Sequence, residues 1–172
     1  VRYLERAHQS SQRAQALIQQ MLTFSRGQRG EPRPLALAPL IREAVKWLGV
    51  SLPSSIELSI DLAPNLPSAL LDPVPMEQVI MNLCINARDA MTGQGTIQIG
   101  LRLADPDQAV CASCRKTVSG HFLELAVGDT GPGIAPEVLE RIFEPFYSTK
   151  EIGQGSGMGL AVVHGIVHEY GG

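Results

Sequence analysis

Residues 82–90 read NLCINARDA and place Asn82, Asn86 and Asp89 four and three positions apart. In an α-helix this spacing puts the two amides and the carboxylate on one face. A carboxamide oxygen is a hard, neutral ligand suited to Mg²⁺, which proteins usually share with substrate phosphates. Taken alone, the stretch is equally compatible with a ligand-binding helix and with a polar stripe that faces solvent.

Residues 129–134 read DTGPGI and directly follow an apolar stretch that is typical of a strand. Two glycines around a proline form a tight turn that lets the backbone approach a ligand closely. Asp129, at the predicted end of the strand, can accept a hydrogen bond from an exocyclic amine. A plain strand-to-helix turn is the alternative interpretation.

Residues 153–160 read GQGSGMGL and open a predicted helix. Alternating glycines expose successive backbone N–H groups, and the helix N-terminus adds partial positive charge, so the combination suits a polyphosphate. The stretch is neither a Walker loop nor a dinucleotide fingerprint. A flexible linker would have a similar composition.

In this order and spacing, the three stretches resemble motifs of the sensor histidine kinases, which belong to the ATPases that share the Bergerat fold. Residues 82–90 resemble the N box of that family, and residues 129–134 resemble its first glycine box. Residues 143–150, which read FEPFYSTK, resemble the F box, and residues 153–160 resemble the second glycine box. The resemblance covers residues 35–172. It implies an α+β fold, a two-layer α/β sandwich with a mixed sheet packed on helices, preceded by one long N-terminal helix.

The resemblance also implies a site for ATP and Mg²⁺. Asn86 is expected to coordinate the Mg²⁺ that bridges the phosphates, with Asn82 assisting one turn earlier. Asp129 is expected to accept a hydrogen bond from the adenine amino group, and Asp89 to support the base through water. Lys150 is expected to reach the terminal phosphates, and residues 136–155 to form a mobile lid. The other implied ATP-binding residues line the pocket or supply backbone amides: Ala90, Gly131, Gly133, Ile134, Gly155, Gly157, Gly159 and Leu160.

Asn82 bears on the choice between a kinase and an ATPase. In the related chaperone, mismatch-repair and gyrase ATPases, a glutamate at this position activates water. An amide cannot take a proton, so Asn82 favours transfer of the γ-phosphoryl group to a histidine outside this chain over hydrolysis. An ATP-binding regulatory domain without transfer activity and an ATPase of the same fold are the alternatives. The implied partners are a phosphoacceptor helix, a response regulator and a second copy of the full-length protein.

Residues 1–29 have apolar side chains at alternating three- and four-residue steps, which predicts one long helix that needs partner helices. They resemble the second helix of the family's dimerisation and phosphoacceptor hairpin. His8 lies in this helix, but Gln9 and Ser10 follow it where the family's acceptor histidine has an acidic neighbour, so a solvated position is expected. Residues 30–34 predict a linker, and residues 35–172 the catalytic domain. The family usually continues beyond the position of Gly172 into a final strand pair, so an incomplete domain is expected.

Further elements are predicted from periodicity and turn residues. Alternation predicts a strand at residues 56–62. Further strands are predicted at residues 35–37, 96–103 and 122–127. Helices are predicted from about residue 39 to residue 48, and at residues 72–91, 136–142 and 159–170.

Composition excludes several classes of function. The net charge is −3 over 172 residues, and the pI is about 5.8, so no basic field is available for nucleic acid. No apolar run approaches the roughly 20 residues of a membrane span, and no signal peptide opens the chain. We therefore expect a cytoplasmic fragment without membrane contact.

The cysteines and the remaining histidines are predicted to have structural or surface roles. Cys84 lies in an apolar run and is predicted to be buried. Cys111 and Cys114 form a C-x-x-C in a loop at residues 105–120, which is longer than the family minimum, but no second pair or neighbouring histidine completes a zinc site. His164 and His168 have the spacing of a metal-binding pair without an evident third ligand. The sequence therefore favours a turn for the cysteines over metal binding or a redox or intermolecular role, and a solvated helix face for the histidines.

Overall fold

The computed structural model describes residues 30–150 and 155–172. The predicted helix at residues 1–29 lies outside the described residues. The elements in chain order are β1 (Arg33–Leu35), α1 (Leu37–Ser51), β2 (Ile56–Leu62), β3 (Ala69–Leu71), α2 (Pro73–Ala90), β4 (Gly95–Ala104), β5 (Ala109–Val110), β6 (Thr117–Val118), β7 (Phe122–Asp129), α3 (Pro136–Leu139) and α4 (Gly159–Glu169).

A mixed three-stranded sheet forms one layer, in the order β2-β4-β7. β2 runs parallel to β4, and β4 runs antiparallel to β7, with Ile97 opposite Asp129. β4 alternates along its length, and Ile97, Ile99 and Leu101 are almost completely buried. This alternation turns one face of the sheet toward the helices and the other toward solvent.

The helices form the second layer. Ile41 and Leu48 of α1 and Ile80 of α2 are at most 1% exposed and belong to the same hydrophobic core as the inner face of β4. The predicted two-layer α/β sandwich is therefore confirmed. None of the helices in residues 30–150 and 155–172 has the length and hydropathy of a membrane-crossing segment.

The start of α2 follows from its first residues. Asp72 is the N-cap, and its Oδ1 accepts a hydrogen bond of 3.0 Å from the backbone N–H of Val74. Pro73 occupies the first turn, where its missing N–H costs nothing. The backbone N–H of Asp72 donates to the Tyr170 hydroxyl at 3.3 Å, which joins this end of α2 to the segment after α4.

Cys84, one of the buried residues of α2, is fully enclosed as predicted, and burial raises its pKa to about 11.

Several boundaries differ from those predicted. The strand predicted at residues 35–37 was wrong in its bounds, since β1 covers Arg33–Leu35 and α1 already begins at Leu37. β1 thus starts inside the predicted linker and pairs antiparallel with β3, which the sequence did not predict. The helix predicted at residues 136–142 ends at Leu139. β5 and β6 form an antiparallel hairpin within the loop at residues 105–120.

Candidate functional site

The C-terminal half of α2 carries the predicted polar face. Asn82 and Asn86 are partly exposed, whereas Cys84 and Ala87, on the opposite face, are buried in the core. The side chain of Asp89, one turn beyond Asn86, is 23% exposed. The polar face therefore lies away from the sheet and is available to other segments of the chain.

The first glycine stretch packs against the end of α2. Asp129 is the last residue of β7, and its Oδ1 accepts a hydrogen bond of 2.8 Å from the backbone N–H of Gly131. A Cβ atom on Gly131 would lie 3.1 Å from the carbonyl oxygen of Ala90 and 2.7 Å from Asp129 Oδ1. Glycine is therefore needed here for close approach. Gly133 has a φ of +75°, which also favours glycine.

Thr130 fixes this turn from the side, although no sequence motif singled it out. Its Oγ1 accepts a hydrogen bond of 3.1 Å from the backbone N–H of Thr96. The same hydroxyl lies 3.5 Å from the sulfur of Met91, toward which it donates. Thr130 thus joins β4, the end of α2 and the turn after β7. Its position between Asp129 and Gly131 was the only signal in the sequence.

The second glycine stretch approaches the asparagines of α2. A Cβ atom on Gly159, the first residue of α4, would lie 3.5 Å from Asn86 Nδ2 and 3.8 Å from Asn82 Oδ1. Gly157 has a φ of +65°, and its carbonyl accepts a 2.9 Å hydrogen bond from the backbone N–H of Phe146. The N-terminus of α4 therefore faces the two amides, and a side chain at position 159 would narrow the space between them.

Lys150 reaches the same helix one turn further on. Its Nζ lies 2.7 Å from Asp89 Oδ2, and Arg88 Nη2 lies 2.7 Å from Asp89 Oδ1. Burial alone would raise the pKa of Asp89, but the hydrogen bonds from Lys150 and Arg88 outweigh burial and lower it. A Cβ atom on Gly155 would lie 3.1 Å from Lys150 Cδ, so Gly155 adjoins the lysine stem. Arg88 was absent from the predicted set, although it directly precedes Asp89.

The first glycine stretch, Lys150 of residues 143–150 and the second glycine stretch therefore all meet the C-terminal half of α2, which carries the two asparagines. Gly131 packs at Ala90, Lys150 pairs with Asp89, and Gly159 faces Asn86 and Asn82. The remaining predicted residues lie beside these contacts: Ile134 is 51% exposed after the first glycine turn, and Leu160 is partly buried in the first turn of α4. An acceptor carboxylate, two amides, an ammonium group and a helix N-terminus form a set that suits a purine and a chain of phosphates.

The structure corrects the interpretation of the other histidines and cysteines. Cys111 Sγ lies 3.8 Å from His168 Nε2. The possible ligand atoms of Cys111, Cys114 and His168 all lie within 4.8 Å of one another. Backbone N–H groups of Cys114 and Ser113 hydrogen-bond to the Cys111 sulfur and lower its pKa. No histidine was predicted to complete a site with the C-x-x-C, but the fold places His168, 57 positions along the chain from Cys111, beside it.

Comparison with known proteins identifies the class. The sequence profile of the family described as "Histidine kinase-, DNA gyrase B-, and HSP90-like ATPase" matches residues 71–172. The chain belongs to this family, and its fold is that of the ATP-binding catalytic domain of two-component sensor histidine kinases.

Two relatives show how much of a longer protein such a domain represents. The chain is 39% identical over 164 residues to the sensor kinase CckA of Brucella abortus, covering 95% of this chain and 17% of that protein. It is 35% identical over 164 residues to the sensory histidine kinase/phosphatase NtrB of Rhodobacter capsulatus, covering 91% of this chain and 43% of that protein. The chain thus spans less than half the length of either relative.

Solved structures give the same class. The mycobacterial sensor histidine kinase MprB superposes with a TM-score of 0.64 at 26% identity, over 81% of this chain and 80% of that chain. The nucleotide-free catalytic domain of the histidine kinase ThkA superposes with a TM-score of 0.65 at 26% identity, over 82% of each chain.

Proposed function

We propose that this chain binds ATP with Mg²⁺ at the polar face of α2 and passes the γ-phosphoryl group to a histidine outside this sequence. The observation that supports the proposal best is the convergence of both glycine stretches and Lys150 on about two turns of α2. Each meets that helix at a different residue, as a site for one extended ligand requires. ATP as the phosphoryl donor also implies a cytoplasmic location.

The adenine end lies at Asp129. The backbone N–H of Gly131 holds one carboxylate oxygen in place at 2.8 Å, and a carboxylate has acceptor capacity beyond a single hydrogen bond. It can therefore accept a hydrogen bond from the exocyclic amine of adenine. Gly131, Gly133, Ile134 and Ala90 keep the adjoining backbone close to the base, with Asp89 acting through water.

The phosphate end lies between Asn86 and the start of α4. The chemistry of this region fits Mg²⁺, because the Asn86 carboxamide offers a neutral oxygen. This oxygen lies beside Gly159, which has a hydrogen atom in place of a side chain. When bound, Mg²⁺ would neutralise charge on the phosphates. The backbone amides around Gly155, Gly157, Gly159 and Leu160 supply donors, and the α4 N-terminus adds its partial positive charge.

Lys150 needs a change of partner to act on the phosphates. In this structure its ammonium group is paired with Asp89 at 2.7 Å. The terminal phosphates carry more charge than one carboxylate, so they can compete for the lysine when ATP enters. This exchange links nucleotide binding to the position of residues 136–155, which we assign as the lid.

The transfer itself requires positioning and charge stabilisation more than acid–base chemistry. The bond between the γ-phosphorus and the bridging oxygen breaks, a bond to the imidazole nitrogen forms, ADP leaves, and the imidazole proton passes to solvent. Asn82 cannot deprotonate water, so an imidazole held in line is the better nucleophile. We further propose that the full-length protein is a homodimer, that residues 1–29 belong to its phosphoacceptor hairpin and that a response regulator receives the phosphoryl group.

The test is to incubate the 172-residue chain with γ-labelled Mg·ATP and a separately prepared phosphoacceptor hairpin from a sensor kinase relative. Acid-labile, base-stable label on the hairpin, absent when its histidine is replaced by Gln, would support transfer. Nucleotide binding without labelled hairpin would favour a regulatory domain. Release of free phosphate at a similar rate with and without the hairpin would favour an ATPase.

A further inference from the structure

The hairpin formed by β5 and β6 has no apolar anchor. None of residues 105–120, all of which the structure describes, belongs to the hydrophobic core or packs against it. Each of its strands has two residues, and Val110 is 59% exposed. A two-stranded hairpin of this size is at best marginally stable in water. Another type of interaction is needed to fix it in place.

The side-chain contacts that join this hairpin to α4 are made by thiol, hydroxyl and imidazole groups. Cys111 Sγ lies 3.8 Å from His168 Nε2, and Ser113 Oγ contacts His164 Nε2. His164 and His168 are one turn apart on α4, with ring centroids 4.2 Å apart. A thiol and two imidazoles, all of which can bind metal, are therefore gathered at one junction between the hairpin tip and α4.

The backbone of the hairpin tip brings the second cysteine to the same junction. The backbone N–H of Cys111 donates to the carbonyl of Lys116 at 2.9 Å, and the backbone N–H of Arg115 donates to the carbonyl of Cys111 at 3.0 Å. Arg115 has a φ of +60°, which closes the turn directly after Cys114. Both cysteines are free thiols, and the turn places their sulfurs in one cluster with His168.

From this geometry we propose that Cys111, Cys114, His168 and His164 bind a zinc-type divalent cation that fastens the β5–β6 hairpin to α4. Two thiolates and two neutral imidazoles are a ligand set of structural zinc sites. Bond lengths of about 2.3 Å to sulfur and about 2.0–2.1 Å to nitrogen put tetrahedral ligands roughly 3.3–3.8 Å apart. The three ligand atoms within 4.8 Å need only a small contraction to reach this spacing. His164 supplies the fourth ligand by exchanging Ser113 for the metal, and the two thiol protons pass to solvent.

This site is distinct from the proposed nucleotide site. Gly159 begins α4 beside Asn86, whereas His168 lies in the last turn of the same helix. At 1.5 Å per residue along the helix, His168 is about 13.5 Å and His164 about 7.5 Å from Gly159. The metal would hold the C-terminal half of the helix whose N-terminus faces the phosphates. It would also account for the length of the loop at residues 105–120, since the extra residues carry two of the ligands.

The experiment measures metal binding by the 172-residue chain, purified under reducing conditions without chelators. We expect one zinc ion per chain by elemental analysis. After removal of zinc, titration with Co²⁺ should give a thiolate-to-metal charge-transfer band and the intense visible bands of tetrahedral cobalt, both saturating at one equivalent. The melting temperature should rise when zinc is returned, because metal binds the folded hairpin in preference to the unfolded chain.

Matched variants separate this site from other cysteines, histidines and metal sites. Three variants should lose the charge-transfer band or should no longer reach its maximum at one equivalent of Co²⁺: Cys111→Ser, Cys114→Ser and His168→Gln. The control variants Cys84→Ala, His121→Gln and Asn86→Ala should keep it, and ATP should not displace the cobalt. An unchanged cobalt spectrum in His164→Gln would overturn the choice of the fourth ligand.

Two results with the wild-type chain would overturn the proposal without reliance on any variant. One is the absence of both a cobalt charge-transfer band and a zinc-dependent melting shift in the reduced protein. The other is an intramolecular disulfide between Cys111 and Cys114, detected by intact mass, in protein purified without added oxidant. Neither result depends on nucleotide binding, so the metal proposal and the kinase proposal can fail separately.

Discussion

Lys150 Nζ lies 2.7 Å from Asp89 Oδ2 and connects the segment before the second glycine stretch to the last turn of α2. Asp89 also accepts hydrogen bonds from Nε and Nη2 of Arg88, at 2.8 and 2.7 Å. One carboxylate thus holds two cations at the edge of the proposed site. A lysine committed to Asp89 cannot at the same time neutralise a phosphate, so under the proposed function nucleotide binding breaks this pair.

The first prediction concerns the pH dependence of this ion pair. The folded-state pKa of Asp89 is lowered below 3.8, so the pair adds stability above the unfolded-state pKa and loses it as pH falls through the folded value. We expect the contribution of the pair to be complete at about pH 5–7 and to decline progressively as pH falls below the unfolded-state pKa of about 3.9. Since both side chains are partly exposed, its contribution should not exceed about 1 kcal/mol. Urea unfolding from about pH 3 to about pH 6 should show a steeper acid loss in the wild type than in Asp89→Asn.

Exposed Asp61 supplies the control, because Asp61→Asn removes a carboxyl group from β2 without touching Lys150. The loss of unfolding free energy at low pH in Asp61→Asn should match that of the wild type. Parallel pH profiles for Asp89→Asn and the wild type would mean that the ion pair contributes nothing to folding.

The second prediction concerns Asp129 and the adenine base. Asp129→Asn should weaken ATP binding by about 1.5–3 kcal/mol, the range for losing a hydrogen bond to a charged group. The variant should also lose part of its selectivity for ATP over GTP, since guanine has a carbonyl where adenine has the amine. Calorimetric titration with each nucleotide measures both effects. Asp107→Asn, at an exposed position shortly before β5, is the control. Unchanged ATP affinity in Asp129→Asn would refute the adenine role.

The third prediction concerns Asn86 and magnesium. Asn86→Ala should abolish most of the Mg²⁺-dependent part of ATP affinity, because it removes the amide oxygen that faces the start of α4. Binding measured in EDTA should change much less. Gln98→Ala removes an exposed amide from the solvent-facing side of β4 and should leave both values intact. An equal loss with and without Mg²⁺ would show that Asn86 contacts the nucleotide or supports the fold instead.

The sequence predicted those elements whose pattern is local and repetitive. Strict alternation predicted β2 at residues 56–62, and the Asp72-Pro73 start followed by apolar periodicity predicted α2. β3 was missed because its three residues carry no pattern of their own and are defined by pairing with β1, in which Leu70 lies opposite Pro34. The same limit applies to the two-residue strands β5 and β6.

The contacts within and beyond the site were harder to predict than its residues. The motifs indicated which residues of α2 share a polar face, but the pair Lys150–Asp89 spans 61 positions and depends on how the segment after α3 folds back. Cys111 and His168 are 57 positions apart, and neither residue's local pattern indicates the other. Spacing along the chain identifies ligands on one element, whereas ligands contributed by two elements require the tertiary structure.

The fourth prediction compares a glycine of the second glycine stretch with one inside α4. Gly157 has a φ of +65°, and a Cβ atom there would lie 2.5 Å from the carbonyl carbon of Phe146. Gly157→Ala should therefore lower the free energy of unfolding by at least about 1 kcal/mol, from left-handed strain alone. Gly165 lies in the interior of α4, and a Cβ atom there would have nothing within 4 Å. Gly165→Ala should raise the free energy of unfolding by about 0.4–1 kcal/mol, because alanine restricts the unfolded chain and favours the helix.

Denaturant unfolding measures the free energy of unfolding of both glycine variants, fitted with one common dependence on denaturant concentration. Their effects should have opposite signs, although each substitution adds the same methyl group. Gly157→Ala should also weaken ATP binding, because displacement from Phe146 moves the backbone amides that precede α4. Gly165→Ala should keep the wild-type affinity, since it faces solvent. A Gly157→Ala variant as stable as the wild type would show that residues 146 and 157 do not pack together in solution, and the proposed phosphate-binding backbone would lose its support.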